Sequence, residues 1–131
     1  MIKIYHNPMW SKSRKSVLIL NEEKINYKII NYMKVKITKD ELVKIARKLN
    51  CEPKDFIRKK DPLLKELNSL EINDKDFMFS YIEKNPKILE RPIIVSKKSA
   101  IIARPPKLLY DFIATLKEWL FQNRIFDLYL N

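Results

Sequence analysis

The sequence predicts an α/β fold: a four-stranded mixed sheet laid down in the order β-α-β, a helical insert, then β-β-α. Three observations predict it. Two short apolar strand candidates flank a helix-like stretch within the first ~30 residues, the pattern of two parallel strands joined by a right-handed crossover. Residues 93–95 and 100–102 are a second pair of apolar runs, separated by a short polar turn. Between the two halves, at about residues 36–90, apolar residues recur at helical spacing or in short proline-broken pieces. The 131 residues suit one domain, 1–131, that carries this insert.

Residues 2–5 alternate like a short strand. Residues 11–24 read as a helix, with Val17, Leu18 and Leu20 apolar and Arg14, Lys15 and Glu22 polar. Ser11 is suited to cap its start. Asn26 breaks the pattern, and residues 27–30 supply the second strand. Thr38-Lys39-Asp40-Glu41 has the form of a capping box and opens a helix through Leu42, Ile45, Ala46 and Leu49, ending near Asn50. Pro53 suits the first turn of a short helix carrying Phe56 and Ile57. Asp61-Pro62 interrupts it, and residues 63–67 resume a short helix. Residues 73–76 start another, through Phe77, Met78, Tyr81 and Ile82, which Asn85-Pro86 stops. Lys97-Lys98 fits a hairpin turn. Pro105-Pro106 starts the last helix, through Leu108, Leu109, Phe112, Ile113 and Leu116. The aromatic-rich residues 118–131 either finish the core or, if exposed, form a surface for self-association or a partner.

Composition narrows the function classes. There is no glycine, which excludes glycine-rich phosphate loops of the Walker or dinucleotide type. Left-handed turn positions then fall to residues such as Asn21, Asn26, Asn50 and Asn68. A single cysteine, Cys51, excludes an intrachain disulfide and reads as a small core residue. The net charge of +11 favours polyanions in general. Its source is mostly scattered lysine, 21 of 27 basic residues, with no arginine-rich tail, so a solvated lysine surface is preferred over a nucleic-acid site. No apolar run reaches the ~18 residues of a bilayer helix, and no signal-peptide pattern opens the chain. The expected location is the cytoplasm, with no membrane partner.

Four motifs carry chemistry. The first strand runs into His6-Asn7-Pro8-Met9-Trp10-Ser11-Lys12-Ser13-Arg14, a loop leading into a helix. Further along come Asp55-Phe-Ile-Arg-Lys-Lys-Asp-Pro62, Ile88-Leu-Glu-Arg-Pro-Ile-Ile-Val95 and Ala103-Arg-Pro-Pro106. Of six arginines, four fall in these motifs: Arg14, Arg58, Arg91 and Arg104. In this set and order the chain resembles the glutaredoxin-coupled arsenate reductases, from Ile2 to about Ile113.

The resemblance implies a thioredoxin-like fold and a thiol-based reduction of an oxyanion or disulfide. It makes Arg58, Arg91 and Arg104 oxyanion-binding, together with Ser11, Ser13 and Arg14 at the helix start. Planar guanidinium groups and unsatisfied N–H groups at a helix start are the donors a tetrahedral oxyanion needs. It also makes Pro92 the fold's cis-proline. His6 reads as a hydrogen-bonded turn residue. No metal site and no bound cofactor are expected. Glutathione and glutaredoxin enter only as the electron donor that the resemblance implies, glutaredoxin being the protein partner. The ligand class is a small oxyanion: arsenate, phosphate or sulfate.

One position departs from the pattern. Where the family carries its nucleophilic cysteine, this chain has Trp10. An indole neither attacks arsenate nor forms a mixed disulfide, so the chain as written lacks the catalytic thiol. Cysteine codons lie one base from TGG, and TGA encodes tryptophan or selenocysteine in some systems, so the gene's codon at position 10 bears directly on function. Three readings follow: an arsenate-reductase-like family member without its nucleophile, a pseudoenzyme that binds an oxyanion or an acidic partner, and a Spx-type RNA-polymerase-binding regulator. His6-Asn7-Pro8 and Ala103-Arg-Pro-Pro106 favour the reductase branch over the last.

Overall fold

The computed structural model describes residues 2–6 and 11–123, with the backbone alone at Lys12. Trp10 and its neighbours Asn7, Pro8 and Met9 lie outside the described residues, as does the aromatic segment beyond Asn123. Contacts divide the chain into two compact units. One comprises Met1–Asn31 and Arg91–Asn131, the other Tyr32–Glu90.

The first unit holds the sheet. Its strands are β1 (Ile2–His6), β2 (Tyr27–Asn31), β3 (Ile93–Val95) and β4 (Ala100–Ile102), in the spatial order β2-β1-β3-β4. β1 and β2 are parallel, joined through helix α1 (Ser11–Glu22). β3 runs antiparallel to both β1 and β4. The β3–β4 turn is closed by Ser96, whose N–H donates to the Ser99 carbonyl at 2.7 Å. Ile2 and Ile4 alternate with exposed Lys3 along β1, so one face buries isoleucine. On that face Ile2, Ile4 and Ile94 pack with Ile19 and Leu20 of α1. The last helix, α5 (Leu108–Asn123), adds Leu109, Phe112, Ile113, Leu116 and Leu120. Each fully buried Leu or Ile contributes roughly 1.5–3 kcal/mol, so this cluster holds the unit together. Lys117 of α5 bonds Glu23 at 3.0 Å just past the end of α1.

The Tyr32–Glu90 unit is helical. It contains α2 (Lys39–Leu49), α3 (Ser69–Ile72) and α4 (Lys75–Lys84), with 3-10 turns at Pro53–Phe56, Pro62–Glu66 and Pro86–Ile88. Thr38 caps α2 by accepting from the Glu41 N–H at 3.2 Å, and Asp74 caps α4 by accepting from Phe77 at 3.1 Å. Leu42, Ile45, Phe56, Met78, Ile82 and Ile88 are buried in this unit. The side chains of Phe77 and Tyr81 stack, centroids 5.8 Å apart.

Several sequence expectations need correction. Ser11 is the first residue of α1 rather than a cap before it, and α1 stops at Glu22. Lys24 takes the left-handed conformation (φ 56°), as does Asn50 (φ 55°). Asn21, Asn26 and Asn68 do not. Asn68 is instead the extended N-cap of α3, in a reciprocal capping box with Glu71. Proline-started runs at 53 and 62 fold as 3-10 turns because they are too short to propagate an α-helix, and Ile57 lies past the first in extended backbone. α5 begins at Leu108, not at Pro105: the Leu108, Leu109 and Tyr110 N–H groups donate to the carbonyls three residues back, at Pro105, Pro106 and Lys107, so the proline pair forms a tight turn ahead of the helix.

Candidate functional site

Strand register gathers most of the motif residues at one end of the sheet. Tyr5 pairs with Ile93, and Ile93 with Ile102. One residue further on stand His6, Pro92 and Ala103, with Arg91 and Arg104 next along the chain. Ala103 extends the β3–β4 ladder by donating its N–H to the Pro92 carbonyl at 3.0 Å. The Arg91–Pro92 peptide is cis. β1 ends at His6 and α1 begins at Ser11, so the start of α1 follows from this same end after four residues. A parallel β-α crossover brings helix N–H groups and strand C-terminal ends into one neighbourhood, which is why α/β sheets bind ligands there.

The side chains at this end are unusually polar for their burial. Arg91 is 3% exposed and His6 5% exposed. Ser13 and Ser16 are both fully buried in α1, one turn apart. Neither serine Oγ has a hydrogen-bond partner among the described residues, nor does His6 Nδ1. Burying a hydroxyl without a partner costs roughly 1–3 kcal/mol, so the cluster is a place where stability is given up locally. Ser11, Arg14 and Arg104 are exposed and add donors and charge at the rim.

Electrostatics follows from that placement. Burial, and after it the positive charge of Arg14, lowers the His6 pKa below its ordinary 6.5. Neutral His6 is therefore the resting form near pH 7. Arg91, Arg104 and Arg14 put positive charge on the segments that meet at this end, with Glu90 the acidic residue beside Arg91.

Arg58 belongs to the Tyr32–Glu90 unit. Its backbone N–H donates to the Ile88 carbonyl at 2.6 Å, beside an isolated antiparallel bridge between Ile57 and Leu89. Its Nη1 lies 3.9 Å from Asp61 Oδ2. Cys51 is in the same unit, just past α2, and is partly exposed rather than a core residue. Burial first, then the Asp55 carboxylate, raises its thiol pKa. That is the reverse of what a nucleophilic thiolate requires.

Ser16 was not anticipated from the sequence. A serine inside a helix reads as neutral filler, and only its complete burial without a partner marks it. Among the described residues no group of three or more His, Cys, Asp and Glu side chains could hold a metal ion, and no helix is long and apolar enough to cross a membrane.

With the strand order, the cis Arg91–Pro92 peptide and the arginine positions in view, comparison with known proteins is decisive. Residues 5–112 match the ArsC family. The chain belongs to the ArsC family. It is 34% identical over 113 residues to an arsenate reductase of Haemophilus influenzae, covering 84% of this chain and 97% of that protein. It is 37% identical over 106 residues to an arsenate reductase of Neisseria meningitidis serogroup B, covering 79% and 91%. A solved structure of arsenate reductase from Vibrio cholerae superposes with a TM-score of 0.78 at 33% identity, covering 84% of this chain and 95% of that one. The mixed four-stranded sheet with its helices is thus the thioredoxin-like arrangement of the ArsC family.

Proposed function

We propose that this ArsC-family chain binds a small tetrahedral oxyanion, arsenate or its analogues phosphate and sulfate, without reducing it through a thiol. The observation that carries the reading is Trp10 in the motif His6-Asn-Pro-Met-Trp10-Ser-Lys-Ser-Arg14, at the position of the family's nucleophilic cysteine. Reduction of arsenate through glutathione and glutaredoxin needs a protein sulfur that first bonds arsenic and then exchanges with a thiol. The chain's one sulfhydryl, Cys51, has a raised pKa and sits in the Tyr32–Glu90 unit. Binding is a separate matter from turnover. Arg91, Arg104, Arg14, Ser11 and Ser13 at the sheet end, with Arg58 carried over from the family pattern, are the residues assigned to it.

The test is direct. Mass spectrometry first fixes the identity of residue 10. Protein verified as Trp10 is expected to show no arsenate reduction with glutathione and glutaredoxin, while arsenate and sulfate raise its melting temperature. Trp10→Cys is expected to gain turnover. Turnover by verified Trp10 protein overturns the reading, and if it then vanishes in Cys51→Ser, Cys51 is the working thiol. Failure of every oxyanion to shift the melting temperature also overturns it.

A further inference from the structure

The helical unit contains a cavity of about 490 Å³ that the oxyanion chemistry does not use. Its apolar lining comes from Ile57, Leu64 and Ile72, its basic lining from Lys54, Lys59 and Lys65. Four short segments build it: the 3-10 turn Pro53–Phe56, extended Ile57 with the turn that follows it, the 3-10 turn Pro62–Glu66 and α3. The chain turns just after Ile57, the Asp61 N–H donating to the Arg58 carbonyl at 3.0 Å. Ile57 and Lys59 line the cavity while Arg58, between them, does not and reaches toward Asp61 instead. The cavity is therefore distinct from the face that Arg58 presents.

Charge at the cavity is unbalanced. Lys54 is already engaged, by Asn73 Oδ1 at 2.8 Å and by Glu52 Oε2 at 3.4 Å. Asp55, the one acidic residue in the lining, spends Oδ2 on the Glu52 N–H at 3.0 Å. Asp61 accepts from the Leu63 N–H at 3.0 Å. Lys59 and Lys65 are exposed, and neither has a carboxylate within ion-pair distance among the described residues. Two ammonium groups thus stand over an apolar floor with no acidic partner.

Size selects among anions. A water occupies ~30 Å³ in the liquid, so an inorganic anion leaves most of this volume unfilled. Cavities of ~300–1,000 Å³ with an apolar lining and a few polar groups are the size and character of small-molecule sites. We infer that the cavity binds a small amphipathic acid: an apolar body against Ile57, Leu64 and Ile72, and a carboxylate between Lys59 and Lys65. This site is independent of the proposed oxyanion site, and its test reads binding rather than turnover.

Sodium octanoate is the probe, compared with 1-octanol and inorganic phosphate, by calorimetry and by amide shifts on the intact chain. Octanoate is expected to bind at least tenfold more tightly than either comparison compound, with shifts concentrated in residues 54–72. The double variant Lys59→Gln, Lys65→Gln changes only exposed side chains and is expected to lose at least tenfold in octanoate affinity while its melting temperature stays put. Ile72→Gln, on the floor, is expected to weaken octanoate as well. Equal binding of octanoate and octanol, full affinity in the double variant, or shifts centred elsewhere overturns the inference.

Discussion

The Ala103 N–H donates to the Pro92 carbonyl at 3.0 Å, one step beyond the last β3–β4 pair. This bond couples the two segments that carry Arg91 and Arg104. Both arginines therefore sit on backbone that the sheet's hydrogen bonding fixes. Backbone that is ordered before binding lowers the entropy cost of placing their side chains on an anion. Buried His6 closes β1 at the same end, and α1, which follows it in the chain, carries the fully buried Ser13 and Ser16.

Lys24→Gly is expected to stabilise the protein by about 0.5–1 kcal/mol. Both α1 and α2 end in the same way. The Lys24 N–H donates to Asn21 and Ile25 to Leu20, matching Asn50 to Arg47 and Cys51 to Ala46. Each end places a residue in left-handed backbone, Lys24 or Asn50. That conformation costs roughly 1–2 kcal/mol for a residue with a Cβ, less for Asn, and glycine removes the penalty while losing part of the gain to unfolded-state entropy. Lys24 is exposed, so little packing is lost. Urea unfolding of the two proteins measures the difference, and a less stable Lys24→Gly contradicts the account.

Ser16→Ala is expected to leave stability unchanged or to raise it by up to about 1 kcal/mol. Its hydroxyl is buried with no partner among the described residues, so a methyl group removes an unsatisfied group, and alanine is the better helix former. A loss beyond about 1 kcal/mol in denaturant unfolding means that Ser16 has an acceptor in solution.

Stability should fall as the pH drops below about 6.5, in a step that His6 controls. Burial and Arg14 hold its folded pKa below the ordinary 6.5. The sign is that of a depressed pKa. Above the unfolded value both states are neutral at His6, and stability is at its full value. As pH falls toward the folded value, the unfolded chain takes up the proton first and folding weakens. His6 is the only histidine, so one imidazole resonance reports its titration. The midpoint is expected below 6.5, and His6→Gln should flatten the stability difference between pH 7.5 and pH 5.5. A midpoint above 6.5 contradicts the burial argument.

How much of this was readable in the sequence depended on how far each signal reached. β1, β3 and β4 were readable because isoleucine and valine runs bounded by turns leave few alternatives. α2 was readable because Thr38 supplies a cap and Leu42, Ile45 and Leu49 an apolar stripe. The 3-10 turns were not, since a proline starts an α-helix and a 3-10 turn equally well and only the next few hydrogen bonds separate them. The left-handed Lys24 escaped because no local preference marks a lysine for that role; the need arises where α1 must stop to feed β2. At the site, Arg91 and Arg104 stood out by their motifs, while the orphaned Ser16 is a property of tertiary burial alone.

Arg104 and Arg91 should separate anion binding from folding. Arg104 is exposed, so Arg104→Gln removes charge with little packing loss. Its melting temperature without anion is expected to stay within about 2 °C of the parent, as for surface substitutions generally. Sulfate should then stabilise it less, because ligand stabilisation scales with occupancy as RT ln(1 + [L]/Kd) and an exposed guanidinium contributes through charge and paired donors. Arg91 is buried at 3% exposure. Truncating it to Ala strands the groups around it and opens a void, so Arg91→Ala is expected to lose about 2–4 kcal/mol even without anion. Sulfate dependence should also shrink in Arg91→Ala, measured as the slope of melting temperature against sulfate at constant ionic strength. If Arg104→Gln keeps the full sulfate dependence, the exposed arginine is not part of the site, and the anion-binding role contracts to Arg91 and the start of α1.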